Sequence, residues 1–235
     1  MHNAQHLKIK LEAADAVVLS HGHYDHTGGL QAFLDLAPRA RVYTHPTAFD
    51  AKYKRDPGDG GRDIGIPGSG IRLRERIADR LIFTLEPSTI CPGITVTGQI
   101  PRSTDFEDTG GDFHLDEQCE HPDPLPDDQS LLIDGPDGTI VVLGCAHAGV
   151  INTLQLVRSI RPTEPIAAVL GGMHLYSATT DRLTRTISEL KALDVGLLVP
   201  AHCTGPGACV ALGTAFGKRC VVSQVGAVFD FPSTT

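Results

Sequence analysis

Short apolar runs, bounded by turns rich in glycine and aspartate, recur along most of this chain. The run over residues 16–20 and the run Arg41–Thr44 are too short for helices and predict buried strands. Asp134-Gly135-Pro136-Asp137-Gly138 lies between two further runs and predicts a hairpin turn. The remaining predicted strands cover residues 81–85, 94–100, 130–133, 139–143, 166–170, 195–199 and 221–228.

Apolar residues at three- and four-residue spacing predict four helices among these strands. The helices cover about residues 27–35, 150–160, 183–193 and 205–216. Thr180 is the predicted N-cap of the third helix, and Gly217 is the predicted stop of the fourth. Residues 56–70 are rich in glycine, aspartate and proline and predict a loop. Residues 101–128 are polar and acidic and predict a long surface insertion that could act as a lid.

Strand pairs and strand–helix units follow one another in this pattern. Such a mixture predicts an α/β (α+β) protein with two sheets that are covered on the outside by helices. A chain of 235 residues suits one large domain or two small ones, and because no linker-like break interrupts it, we expect a single domain over 1–235. Strand 16–20 is apolar on both faces and is expected to be central in its sheet.

Composition and charge narrow the classes of partner. The net charge of -8 disfavours nucleic acid and does not attract anionic membranes, and the absence of tryptophan removes the best stacking platform for bases. No apolar run is long enough to predict a membrane span. The six cysteines include no C-x-x-C pair, which favours a reducing, cytoplasmic setting.

Histidine supplies the candidate chemistry. The chain has eleven histidines, and six of them follow directly after a predicted strand. Strand ends on one side of a sheet converge, so ligands from distant parts of the sequence can meet there. The six are His21, His23, His26, His147, His174 and His202.

The densest group is His21-x-His23-x-Asp25-His26. His21 and His23 alternate, so their rings share one side of an extended backbone. Asp25 and His26 follow as the chain turns toward a helix, and three imidazoles with a carboxylate suit Zn²⁺, with manganese or iron as alternatives. A solvated histidine-rich turn is the competing interpretation. The position directly after a buried strand favours the metal site.

The three remaining histidines share the same context. His147 follows strand 139–143, His174 follows strand 166–170, and His202 follows strand 195–199. Each alone would as readily be a packed or capping residue. Together with the first group, His147 and His202 become candidate ligands. His174 is a candidate proton donor or oxyanion contact.

These segments resemble the metallo-β-lactamase superfamily. The signature His-x-His-x-Asp-His, followed by His147 and His202, carries that resemblance. Further segments are similar to one branch, the dihydropteridine–ribofuranosylaminobenzene phosphate synthase-like proteins of methanopterin biosynthesis and their bacterial relatives. Besides residues 19–30, these segments are Thr97–Arg102, Asp128–Leu131, Gly144–Asn152, Gly171–Leu175 and Pro200–Gly205.

The resemblance implies an αββα sandwich with two metal positions. The first position would be held by His21, His23 and His147, and the second by Asp25, His26 and His202. Two features depart from the family.

The first departure lies after Gly171-Gly172, where most members place a bridging aspartate and this chain has none; His174 could compensate. The second is that only twenty residues precede His21, so the chain is N-terminally short and is expected to lack the first strands of the sandwich. The sheet edge exposed in this way could pair with a second copy and form a homodimer.

Residues beside the histidines are weaker candidates. Cys145 and Cys203 flank proposed ligands and are either thiolate ligands, redox-sensitive thiols or, by preference, small packed residues. Arg102 follows a strand and could hold a substrate phosphate or carboxylate, or be exposed. Asp127 and Asp128 could orient histidine N–H groups, or be surface turn residues.

The leading functional hypothesis is hydrolysis of a small-molecule ester, amide or phosphoester by metal-bound hydroxide. Asp25 would orient the attacking water, and His174 would donate a proton. The branch resemblance implies an alternative, a transferase that joins a phosphorylated pterin to an aminobenzene ribofuranosyl phosphate. A third hypothesis is a metal-binding remnant without catalysis.

Overall fold

The computed structural model describes residues 2–231 except 57 and 59. Within that part of the chain the strands are β1 (Ala16–Val18), β2 (Arg41–Thr44), β3 (Tyr53–Arg55), β4 (Gly61–Asp63), β5 (Leu81–Phe83), β6 (Ser88–Cys91), β7 (Ile94–Val96), β8 (Phe113–His114), β9 (Leu131–Gly135), β10 (Gly138–Val142), β11 (Ile166–Gly172) and β12 (Leu197–Ala201). The helices are α1 (His2–His6), α2 (Tyr24–Thr27), α3 (Leu30–Leu36), α4 (Gly70–Arg76), α5 (Val150–Ile160), α6 (Thr180–Ala192) and α7 (Pro206–Phe216).

The chain divides into two compact units. The N-terminal unit comprises the residues up to Leu85 together with Asp112–Asp127, and the C-terminal unit comprises Glu86–Gly111 together with the residues from Asp128 onward. The single domain over 1–235 stays a prediction.

A parallel sheet of order β1-β2-β5 forms the centre of the N-terminal unit. Its apolar side chains pack with those of α3 and α4, because both helices bury leucines against it, Leu30 and Leu34 from α3 and Leu73 from α4. Among the described residues β1 pairs with β2 alone and is half-buried, so the expectation that strand 16–20 is central is wrong. Dimerisation through this edge stays a prediction.

A small antiparallel sheet of order β4-β3-β8 completes the N-terminal unit. Its strands correct two predictions, since β4 lies within the expected loop 56–70 and β8 within the expected surface insertion 101–128. Phe113 and Leu125 of that insertion are buried together with Ile64. The segment is polar in composition, but a few well-spaced apolar residues suffice to fix its second half in a small core.

The C-terminal unit is built on a six-stranded sheet of order β12-β11-β10-β9-β7-β6. Strands β10, β11 and β12 are parallel neighbours, so their carboxyl ends lie at the same edge of the sheet. The turn between β9 and β10 is the predicted hairpin. Helices α5, α6 and α7 bury leucines in one core with this sheet, among them Leu154, Leu190 and Leu212.

Most predicted elements of this unit are confirmed to within a few residues, with two corrections at their ends. Thr179, not Thr180, is the N-cap of α6, and its side chain accepts a hydrogen bond from the N–H of Arg182. Gly217 does end α7, with a φ of 56°.

Residues 221–228 were expected to form a strand, and the structure contains none there. The N–H groups of Val221 and Ser223 donate to the carbonyls of Leu198 and Pro200, so the segment begins to pair with β12. Pro200 has no N–H to return, and a turn with Gly226 at φ 90° follows. The pairing therefore stops after two bonds. No helix among the described residues is long and apolar enough to cross a membrane.

Candidate metal centre

The loop after β1 brings His21 and His23 into contact. The Nε2 atom of His21 lies 3.1 Å from Nδ1 of His23, and the ring centroids are 4.6 Å apart. Both residues are buried, His21 completely. Two imidazoles that are buried edge to edge in this way form a nitrogen-rich pocket rather than an apolar core.

The first turn of α2 adds the other two members of the signature. The ring of His26 lies 4.2 Å from that of His21 between centroids, and its Nε2 is 3.5 Å from a carboxylate oxygen of Asp25. Ser20 Oγ contacts Nδ1 of both His21 and His26, at 3.1 and 3.3 Å. Three imidazoles and a carboxylate thus converge within one short segment, and this donor set fits a zinc-type ion.

A buried ionic network fixes the loop that carries His21 and His23. The N–H of Gly22 donates to Asp127 Oδ2 at 2.7 Å, and the other oxygen of Asp127 pairs with Lys52 Nζ at 3.0 Å. Lys52, which is 1% exposed, also pairs with Asp123 at 2.9 Å. Burial opposes the charge of Lys52, but the two carboxylates outweigh it and raise its pKa. Asp127 therefore orients the backbone between the two histidines.

In the C-terminal unit, His147 and His174 follow two neighbouring parallel strands, and their ring centroids are 4.3 Å apart. His147 is completely buried, and its Nδ1 lies 2.8 Å from the carbonyl oxygen of Thr109. A carbonyl can only accept, so Nδ1 carries the proton. The lone pair of His147 is consequently on Nε2, as a metal ligand requires.

Backbone strain is found just after each of the parallel strands β10, β11 and β12. Ala146 after β10, His174 after β11 and His202 after β12 have φ values of 53°, 46° and 49°. Left-handed backbone at residues other than glycine is uncommon and clusters at functional sites. His202 itself is exposed, at the start of a 3-10 turn that runs to Thr204.

Two cysteines accompany His174 at these strand ends. Donor atoms of Cys145, His174 and Cys203 all lie within 4.8 Å of one another. The Sγ atom of Cys203 lies 3.6 Å from the carbonyl oxygen of Cys145. A hydrogen bond from the Cys145 side chain, followed by hydrogen bonding and charge from His174, stabilises the Cys203 thiolate and lowers the pKa of Cys203 to about 4.

Backbone contacts position His147 and the helix that follows it. Arg102 donates to the carbonyl of His147 at 2.7 Å, and Asp128 accepts from the N–H of Ala148, also at 2.7 Å. Glu107 caps α5 by accepting from the N–H groups of Ile151 and Asn152. Arg102, proposed to bind substrate, thus contacts protein backbone. Asp127 and Asp128, proposed to orient imidazoles, accept from backbone amides.

Four residues of this arrangement escaped the sequence analysis: Ser20, Lys52, Asp123 and Glu107. Ser20 adjoins the signature and could have been suspected for that reason. Nothing in the local sequence indicates that Lys52 is buried, because lysine is almost always exposed. Glu107 sits in a stretch rich in acidic residues, where nothing distinguishes a helix cap that lies far ahead of its helix in sequence.

Comparison with known proteins supplies the context for this arrangement. The profile of the metallo-β-lactamase superfamily matches residues 4–202. The 7,8-dihydropterin-6-methyl-4-(β-D-ribofuranosyl)-aminobenzene-5'-phosphate synthase of Methanocaldococcus jannaschii is 29% identical over 214 residues, which cover 87% of this chain and 71% of that protein. An uncharacterised protein of the same organism, MJ0448, is 34% identical over 202 residues, covering 83% and 70% respectively.

A solved structure is similar along nearly the whole chain. It is the crystal structure of Tm1679, described as a metal-dependent hydrolase of the β-lactamase superfamily. The TM-score is 0.79 at 29% identity, and the match covers 96% of this chain and 82% of that one.

Proposed function

Because the chain belongs to the metallo-β-lactamase superfamily, we propose that it is a metal-dependent hydrolase of a small-molecule ester, amide or phosphoester. The observation that carries this proposal is the convergence of His21, His23, Asp25 and His26 within one loop and helical turn. The similarity to a metal-dependent hydrolase at a TM-score of 0.79 supports it.

The proposed ligands are those that the family resemblance implies. His21, His23 and His147 would hold one ion, and Asp25, His26 and His202 a second. The tautomer of His147, with its proton on Nδ1, supports ligation through Nε2. Imidazole and carboxylate donors favour zinc, with manganese and iron as the alternatives.

A bound ion of this type lowers the pKa of a coordinated water toward ~7 and polarises the bond under attack. Asp25 has a half-exposed carboxylate, with 40% of its side chain accessible, and can accept a proton from the attacking water. His174 is positioned beside His147 and can give a proton to the leaving group. Arg102 donates to the backbone carbonyl of His147 and is proposed to hold a substrate phosphate or carboxylate with its other N–H groups.

A synthase activity is the second candidate, and the 29% identity to the aminobenzene phosphate synthase favours it. The same residues would then hold an amine in place of water, which requires that water be excluded from the site. Hydrolase and synthase differ in the nucleophile, and so product analysis separates them.

The test begins with metal content. Purified protein, reconstituted with zinc, manganese or iron, should contain one to two ions per chain, and it should turn over phosphodiester or ester substrates in a screen. Incubation with a pterin diphosphate and an aminobenzoate derivative should give free pterin alcohol from a hydrolase and the condensed product from a synthase. Bound metal without turnover of any substrate would favour the non-catalytic remnant, and absence of metal after reconstitution would refute the proposal.

A further inference from the structure

Side chains with sulfur and nitrogen donor atoms follow three neighbouring strands of the C-terminal unit. Cys145 follows β10, His174 follows β11 and Cys203 follows β12, and these strands are parallel neighbours. One donor atom from each residue lies within 4.8 Å of the other two. The arrangement comes from positions far apart in sequence, so the sheet itself creates it.

Glycine at the end of β11 makes this approach of the sulfur feasible. A Cβ added to Gly172 would lie 2.7 Å from Sγ of Cys203 and 2.6 Å from the carbonyl oxygen of Gly144. Any other residue there would push the thiol away from β11. The left-handed backbone of His174, at φ 46°, is a second strained feature of the same group.

We infer that Cys145, His174 and Cys203 bind a zinc-type ion through two thiolates and one imidazole nitrogen. The inference deepens the proposed function, on which it rests, by adding sulfur ligands to the metal-binding residues of the chain. None of the three belongs to the six proposed ligands. A His174 that binds the ion through one ring nitrogen keeps the N–H of its other nitrogen, so in that state it acts on the substrate as an oxyanion contact, the other role proposed for it.

Distances support ligation over simple packing. Around a tetrahedral zinc ion with Zn–S near 2.3 Å, ligand atoms are about 3.8 Å apart. The donor atoms here are at most 4.8 Å apart, so closing the group on an ion needs a shift of about 1 Å or less, within rotamer adjustment.

The chemistry of the group also argues against an apolar role. Two thiols and an imidazole that meet in one place are a soft donor set, which selects zinc, cobalt or cadmium over magnesium or manganese. Thiols that coordinate such an ion lose their protons, and binding therefore releases protons.

Cobalt substitution of the full chain tests the inference. Co²⁺ replaces zinc in tetrahedral sites, and thiolate ligation adds a sulfur-to-cobalt charge-transfer absorption in the near ultraviolet, separate from the visible bands that any bound Co²⁺ gives. The wild-type protein should show both. Cys145→Ser and Cys203→Ser should each lower the charge-transfer intensity by about half, because each of the two thiolates contributes.

Cys91→Ser is the matched control, because Cys91 is an exposed cysteine on β6 of the same unit. Its charge-transfer band should equal that of the wild type. Circular dichroism checks that each variant is folded, and absence of the band in the wild type overturns the inference whether or not a variant folds.

Visible cobalt bands without the charge-transfer absorption in the wild type would overturn the inference and leave the proposed function standing. A charge-transfer band that survives in the Cys145→Ser/Cys203→Ser double variant would also overturn it. Failure of the wild type to bind cobalt at all, measured by elemental analysis, would overturn both the inference and the proposed function.

Discussion

Asp127 accepts a 2.7 Å hydrogen bond from the backbone N–H of Gly22, the residue between the two buried histidines of the signature. The two residues are 105 positions apart in sequence. The same carboxylate pairs with the buried ammonium group of Lys52. The backbone of the histidine loop is therefore held by a carboxylate that is itself fixed by an ion pair. Groups that orient ligands in this way usually matter nearly as much as the ligands.

Gly22→Ala should lower metal affinity by about 10–100-fold, the usual effect of disturbing the groups that orient ligands. The added Cβ would lie 2.1 Å from the carbonyl oxygen of Ala48 and 2.8 Å from Cε of Lys52, so the loop must move. Gly29→Ala is the matched control, since nothing lies within 4 Å of its Cβ position and its φ is -89°. Competition with a zinc indicator measures both. Equal affinities for the two variants would show that the loop tolerates displacement.

Lys52→Met should destabilise the fold by about 3–5 kcal/mol, because it leaves Asp123 and Asp127 buried without their counter-charge. Burial already raises the folded-state pKa of Asp127 although Lys52 opposes this, so without the ammonium group this pKa rises further above the unfolded value of about 3.9. Stability that depends on a raised pKa is present at low pH and is lost as pH rises. The deficit of the variant should therefore be smaller near pH 4–5 than at pH 8.

Urea unfolding at both pH values measures this difference. Lys10→Met, at an exposed lysine of the same unit, is the control and should change the free energy of unfolding by less than about 0.5 kcal/mol. A deficit that grows on acidification would contradict the assignment of Lys52 as the counter-charge.

The sequence predicted where the histidines lie better than it predicted which residues hold them in place. A short apolar run followed by His21 or His147 indicates a strand end locally, and strand ends converge by topology. The pairing of Lys52 with Asp123 and Asp127 depends on residues more than 70 positions away, and no local pattern records it. Hydrophobicity also says nothing about whether a partner strand can pair, so residues 221–228 were assigned wrongly.

Because Glu107 titrates, the free energy of unfolding should fall as pH rises through the acidic range. Burial raises its pKa, and the hydrogen bonds from the N–H groups of Ile151 and Asn152 oppose this only in part. A raised folded-state pKa contributes stability below the unfolded pKa of about 4.3, and that contribution is lost as pH rises through the folded value. Relative to wild type, Glu107→Gln should therefore gain stability between pH 4 and pH 8.

Thermal or urea unfolding across this range gives the comparison, with Glu86→Gln as the control at an exposed glutamate of the same unit. The control should track the wild type at every pH. A constant difference between Glu107→Gln and wild type would mean that Glu107 titrates alike in the folded and unfolded states.

Asp25→Ala should lower kcat by about 10²-fold or more, the range for loss of a proton acceptor. Its side chain is partly exposed and lies in a loop-proximal turn, so stability should change by less than about 0.5 kcal/mol. Turnover and urea unfolding are measured on the same preparation. Asp35→Ala, exposed at the end of α3, should leave both unchanged. Full turnover in Asp25→Ala would remove Asp25 from the proposed mechanism.

Gly110→Ala tests whether the position of the His174 ring matters. Gly110 has a φ of 80°, and a Cβ there would lie 1.9 Å from Cδ2 of His174, so the ring must leave its place beside His147. Gly68 has nearly the same φ, 79°, but nothing lies within 4 Å of its Cβ position. Gly68→Ala therefore reports the backbone strain alone, about 1–2 kcal/mol.

Both variants should lose this amount of stability, and Gly110→Ala should lose more because it also displaces the imidazole. Turnover should separate them further: Gly68→Ala should keep the wild-type kcat, whereas Gly110→Ala should lose at least about tenfold if His174 donates a proton. Equal kcat values in the two variants, at measurably different stabilities, would mean that displacing the His174 ring affects packing alone. His174 would then have no part in the proton transfer.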